Sequence, residues 1–90
     1  MFEWDEYKSR RNLQERGFDC EYAAGIFEGD TIEWDDTRRD YGERRIIAIG
    51  LAEGVALTIV YSQRGEAQRI ISARRSNRSE RLAYNQALDS

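Results

Sequence analysis

Arginine carries most of the chemical potential of this sequence. Thirteen of the fourteen basic residues are arginine, Lys8 is the single lysine, and there is no histidine. A guanidinium is always charged and donates hydrogen bonds in a planar fork that matches phosphate. Formal net charge is −3, but residues 1–43 carry 13 acids and 6 bases, and residues 44–90 carry 4 acids and 8 bases, all arginine. Such asymmetry points toward a polyanion-facing surface, or else to a solvated surface laced with ion pairs. Arg44, Arg64, Arg69, Arg74 and Arg75 all lie in the second half. The chemistry they suit is phosphate binding.

Several other chemistries are excluded. Without histidine there is no imidazole acid or base. Cys20 is the only cysteine, so neither a zinc site nor an intrachain disulfide can form, and no metal or cofactor is expected. A single cysteine also favours a reducing compartment. No apolar run approaches transmembrane length, and Met1-Phe2-Glu3-Trp4-Asp5 lacks the pattern of a secretory signal. With 40% hydrophobic and 34% charged residues over 90 positions, residues 1–90 read as one globular domain.

The elements that must position the arginines follow from capping and periodicity. Phe2-Glu3-Trp4 suits a short first strand. Asp5 caps a helix over about 6–16, which Gly17 ends, with Leu13 and Tyr7 as its inward residues. Asp19 caps a second short helix over about 20–27, with Ala23, Ile26 and Phe27 on one stripe. Thr31–Trp34 reads as a short strand, and 35–42 as a polar connection. Dense β-branched sequence then predicts three long strands at about 44–51, 55–63 and 66–73. Asn77, with Glu80 three residues on, starts a last helix over about 78–88. The class is therefore α+β, with a small, mostly antiparallel sheet. Trp4 and Trp34 suit core or rim packing, and Cys20 suits a small buried site.

Loop lengths set the faces. A three-residue loop Ala52-Glu53-Gly54 places Leu51 opposite Val55, and an Arg64-Gly65 turn places Gln63 opposite Glu66. Ile47, Ile49, Leu51, Val55, Leu57, Ile59, Tyr61 and Ile70 then form the core face beneath the first two helices. The other face holds Arg44, Arg69 and an apolar strip of Ile46, Val60 and Ile71. Arg64 stands at a hairpin tip, and Arg74 and Arg75 follow the last strand. A one-residue slip would reverse these assignments.

Phe2-Glu3-Trp4-Asp5-Glu6-Tyr7-Lys8, Asn12-Leu13 and Arg16-Gly17 resemble the opening of BrnT-type toxins. The resemblance continues through Asp40-Tyr41-Gly42-Glu43-Arg44-Arg45, Ile49-Gly50, Val60-Tyr61-Ser62-Gln63-Arg64-Gly65 and Arg69-Ile70-Ile71-Ser72-Ala73-Arg74-Arg75, and ends at Glu80-Arg81 and Tyr84. It implies a RelE-like fold and a cytoplasmic ribonuclease toxin of a type II toxin–antitoxin pair. It also implies a ribbon-helix-helix antitoxin, BrnA-like, in a complex of two toxin and two antitoxin chains. Operator DNA would be bound through the antitoxin alone. Where the family often has Lys-His-Gly, this chain has Glu15-Arg16-Gly17.

For RNA cleavage by transesterification, Arg64, Arg69 and Arg74 suit phosphate binding and transition-state stabilisation. Ion pairing with Glu66 or Asp40 is their alternative role. Glu43 is a candidate general base or an ion pair at a strand end. Tyr84 is a candidate proton donor or base-stacking ring, or a half-buried helix anchor. Arg44, Arg75, Lys8 and Arg16 would extend RNA binding, although a solvated helix face also explains Lys8 and Arg16. The Ile46/Val60/Ile71 strip would dock an antitoxin segment. In a second reading the chain does only this, as a non-catalytic co-repressor module.

Overall fold

In the computed structural model, which describes residues 1–89, the caps act as the sequence predicts. The Asp5 carboxylate accepts the Lys8 N–H at 3.1 Å and opens α1 (Glu6–Arg16). Gly17, left-handed at φ 87°, closes it with an N–H to the Leu13 carbonyl. Asp19 caps α2 (Cys20–Ala23), which continues as a 3₁₀ segment (Ala24–Glu28) rather than as the one helix expected over 20–27. Asn77 and Glu80 exchange two 2.8 Å hydrogen bonds in a capping box that starts α3 (Arg78–Asp89). No helix among the described residues is long and apolar enough to cross a membrane.

Five strands form one mixed sheet: β1 (Phe2–Glu3), β2 (Ile32–Asp35), β3 (Arg45–Ala52), β4 (Val55–Arg64) and β5 (Ala67–Arg75). Their order is β1-β5-β4-β3-β2. Only β1 runs parallel to its neighbour, pairing with Gln68 and Arg69 of β5.

The registers differ from expectation in ways that decide the faces. The β3–β4 loop has two residues, Glu53 (φ 49°) and Gly54 (φ 82°), both left-handed, so Ala52 pairs with Val55. This slip of one residue turns β3 over relative to β4. The β4–β5 loop is Gly65-Glu66, with Arg64 opposite Ala67. That shift is even, so Tyr61 still shares a face with Ile70. Ile71 is then unpaired: Tyr61 faces Ile70, whereas Val60 faces Ser72. The bulge changes the alternation of everything after it.

The helix-covered face carries Ile46, Ala48 and Ala52 of β3, Leu57, Ile59 and Tyr61 of β4, and Ile70 and Ala73 of β5. They pack with Phe18, Cys20, Ala23 and Ile26. Leu57, Ile59, Tyr61 and Ile70 are thus core residues as expected, but Ile47, Ile49 and Leu51 turn to the opposite face. Gly50 is required where the 3₁₀ segment crosses β3, since a Cβ there would lie 2.9 Å from the Ile26 Cβ. The opposite face holds Ile47, Ile49, Thr58, Val60 and Ser62, and α3 covers one end of it. At that end Thr58 Oγ1 lies 2.7 Å from Ser76 Oγ, and the buried Tyr84 donates to the Asp30 carbonyl at 2.8 Å.

Helix α1 is held by polar tethers. Leu13 and Tyr7, expected inward, are exposed, and the buried residue of the helix is Ser9. Its Oγ accepts the Cys20 N–H at 2.9 Å. Asn12 donates to the Phe18 carbonyl and Arg16 to the Ala73 carbonyl, each at 2.8 Å. The helix has too few apolar residues for burial alone to dock it.

Candidate nucleic-acid interface

Four arginines from three strands stand on the face opposite α1 and α2. Arg45 of β3 pairs with Ser62 of β4, and Ser62 pairs with Arg69 of β5, so all three share that face. Arg64, two residues beyond Ser62, joins them by alternation. Arg74 pairs with Thr58 and also belongs here. Arg69 and Arg74 are five residues apart, a spacing that puts residues of a regular strand on opposite faces. The Ile71 bulge is what brings them to one side.

Each arginine meets a carboxylate. Arg74 donates to both oxygens of Glu80, at 2.7 and 2.8 Å. That bidentate bond, with the Asn77 N–H and the Thr58 hydroxyl, holds the Glu80 carboxyl down at about 2, against the opposing effect of its burial. Glu43 accepts from Arg45 at 3.0 Å and from Arg64 at 3.3 Å, and both keep its carboxyl below the usual range. Arg69 is the least committed, with Glu3 at 3.8 Å, beyond hydrogen-bond range.

The polar connection after β2 supplies groups that sequence reasoning did not single out. The buried Asp36 carboxylate takes a two-point contact from Arg38, at 2.8 and 2.7 Å, and a 3.1 Å hydrogen bond from the Tyr41 hydroxyl. Arg38 foremost, then Tyr41, holds its carboxyl well below the usual range. The Arg45 guanidinium lies 4.1 Å from the centre of the Tyr41 ring, a cation–π contact. Arg38 lies close enough to Arg74 for the two charges to repel.

The remaining expected residues do not join this cluster. Arg44 precedes β3 and pairs with Asp35 at 2.7 Å, and the position expected for it is filled by Arg45 because of the register slip. Arg75 pairs with Leu57 on the helix-covered face and lines a groove with Leu13, Phe18 and Tyr22. Lys8 and Arg16 line a second groove, between α1 and β5. Tyr84 sits over the β3–β4 hairpin with Leu51 and Ala56, and its burial pushes the phenol up. Ala56 lies six residues from Ser62, or about 20 Å along the strand. The apolar strip does not exist as one surface: Ile46 packs on the core, Val60 lies on the opposite face, and Ile71 lines the groove beside α1.

Asp36, Arg38, Tyr41, Arg45, Ser62 and Glu80 are the site residues that the sequence reading missed. Glu80 was named for its cap but not for its contact with Arg74, and Tyr41, Arg45 and Ser62 stood only within the motifs that carry the resemblance. No cluster among the described residues has the His, Cys, Asp and Glu composition of a metal site. A comparison with individual curated proteins gives no match. Residues 4–80 match a family model described as the ribonuclease toxin, BrnT, of type II toxin–antitoxin systems.

Proposed function

Because the chain belongs to this family of ribonuclease toxins, we propose that it cleaves RNA, without a metal ion, on the sheet face that carries Arg45, Arg64, Arg69 and Arg74. The observation that supports this reading is their convergence from three strands, with Arg69 left nearly free to take a phosphate oxygen. The reaction is attack of a 2′-oxygen on the adjacent phosphorus, with loss of the 5′-oxygen. It leaves a 2′,3′-cyclic phosphate and a 5′-hydroxyl. Arg69 and Arg74 neutralise the charge that grows on the non-bridging oxygens, and Arg64 holds a flanking phosphate. Glu43 takes the 2′-hydroxyl proton once RNA draws Arg45 and Arg64 away from it. Tyr84 is too distant to protonate the leaving oxygen, and the Tyr41 phenol beneath Arg45 is the nearer donor. With Glu43 held low it is a weak base, so most of the acceleration comes from the arginines.

The partner in this reading is a BrnA-like ribbon-helix-helix antitoxin, two chains of each in the complex, acting in the cytoplasm. It covers the arginine face and carries the operator-binding surface. The RelE-like assignment of the fold and the identity of the antitoxin rest on the sequence resemblance.

The test is expression without an antitoxin, together with purified protein on single-stranded RNA. The expected results are growth arrest and fragments ending in cyclic phosphate, both lost in Arg69→Ala. A second reading, a non-catalytic antitoxin-binding and co-repressor module, draws on the low carboxyls of Glu43 and Glu80, neither of which is a strong base. Soluble wild-type protein that binds antitoxin but leaves RNA intact would establish that reading.

A further inference from the structure

Ser62 holds the one buried side-chain oxygen among the described residues that has no hydrogen-bond partner. The residue is 1% exposed, two residues before the end of the longest strand. An idle hydroxyl in such a place is destabilising, and native structures seldom keep one without a use.

Its neighbours suggest the use. Arg45 and Arg69 are its direct cross-strand partners, one on each side. Directly opposite residues of an antiparallel pair have Cβ atoms about 5 Å apart, so both guanidinium stems rise beside the hydroxyl. The two arginine side chains are 26% and 31% exposed, so each is partly covered and keeps a side open to solvent. Both carry a carboxylate in a position that another anion could take, Glu43 at 3.0 Å from Arg45 and Glu3 at 3.8 Å from Arg69. The next cross-strand row is Ile47 opposite Val60, both buried, which gives the spot an apolar wall where charge–charge attraction is stronger than in water.

We propose that Arg45, Ser62 and Arg69 form a phosphate seat, in which a phosphate group displaces Glu43 and Glu3 and accepts the Ser62 hydroxyl. The seat rests on the arginine-face reading above and deepens it by naming where one phosphate of the strand is fixed. Each arginine takes a non-bridging oxygen through its fork, and the hydroxyl donates to one of the same oxygens. No bond is made or broken at Ser62. It is a binding residue, and its idle state in the free protein is the cost of keeping it ready.

The test uses Ser62→Ala in the intact chain, with two probes: inorganic phosphate, and a 2′-O-methyl oligonucleotide that cannot be cleaved and has internal diesters only. The expected result is a thermal midpoint equal to or above that of the wild type, with affinity for the probe weakened by about ten-fold, the effect of one hydrogen bond to a charged group. Binding of the oligonucleotide assigns the seat to phosphodiesters of a strand. Binding of inorganic phosphate alone assigns it to phosphate monoesters. Equal affinity of wild type and variant for both probes would overturn the seat, as would binding of neither. A marked loss of stability in Ser62→Ala would also overturn it, because the hydroxyl would then have a structural partner. Cleavage assays separate the two levels: RNA cut normally by Ser62→Ala leaves the ribonuclease reading intact without the seat, and probe binding with no cleavage leaves the seat without the reaction.

Discussion

Glu80 grips Arg74 with both carboxylate oxygens, at 2.7 and 2.8 Å, and thereby ties the start of α3 to the end of β5. The same carboxylate closes the capping box and accepts from Thr58, so one side chain joins a helix terminus, a strand and an arginine of the candidate site. Glu80→Gln should lower stability by about 1–3 kcal/mol, because a partly buried Arg74 loses its counter-charge. Urea denaturation of the two proteins at neutral pH measures this.

The Glu80 carboxyl sits at about 2 in the folded protein, below its ordinary 4.5. A group depressed on folding stabilises the folded state above its unfolded value, and that contribution fades as pH falls through 4.5 toward 2. The stability difference between wild type and Glu80→Gln should therefore be full at pH 6 and shrink progressively below pH 4.5. A difference that stays constant down to pH 2.5 would show that the carboxylate charge is not what holds Arg74.

Arg69 and Arg74 should respond differently to truncation. Arg69 has only a loose pairing with a half-exposed Glu3, so Arg69→Ala should change stability by less than about 0.5 kcal/mol. Its loss should slow RNA cleavage by about 10²–10³-fold if it stabilises the transferring phosphate. Arg74→Ala should reduce both activity and stability, since it strands Glu80. Parallel thermal melts and cleavage rates would separate the two patterns.

Glu43→Gln should divide binding from cleavage. It removes the negative charge shared by Arg45 and Arg64, so a non-cleavable oligonucleotide should bind more tightly. It also removes the proposed base, so cleavage should slow by about 10²-fold or more. Weaker binding in this variant would mean that Glu43 is needed to hold the arginines in place.

Gly50→Ala tests the packing beneath the site. A Cβ at that position would lie 2.9 Å from Ile26 Cβ and 3.2 Å from the Ile26 carbonyl oxygen. The 3₁₀ segment would have to move off β3, at a cost of about 1–3 kcal/mol, seen as a lowered denaturation midpoint.

Much of the fold was legible because its signals are local. Asp5, Asp19, Asn77 and Gly17 mark helix ends by side-chain or backbone chemistry that the sequence displays. Strand existence followed from β-branched density. Register did not, and the reason lies at Glu53: a left-handed glutamate is uncommon, so a three-residue loop fits the sequence better than the two-residue turn that forms. That one residue moved Ile46 into the core and replaced Arg44 with Arg45 on the arginine face. Nor does the bulge carry a signal, since Ile71 is neither glycine nor polar. Asp36, Arg38 and Tyr41 meet through the path of an irregular connection, which no periodicity describes. Arg64, Arg69 and Glu43 were nevertheless found together, because phosphate chemistry selects residue type even where geometry is unread.

The tether from Arg16 to Ala73 also bears on how the molecule behaves in a crowd of its own copies. The first strand pairs only with Gln68 and Arg69, so beyond them the outer flank of β5 has no strand partner and is lined by α1 instead. A foreign strand docking there would need an unbroken row of amide and carbonyl groups. It meets a guanidinium seated on the Ala73 carbonyl and, two residues earlier, a ladder put out of step at Ile71. Charge and irregularity at an unpaired flank are common protections against fibre growth and strand exchange. Arg16 thus occupies, with a side chain, a carbonyl on that flank to which a further strand would otherwise bond.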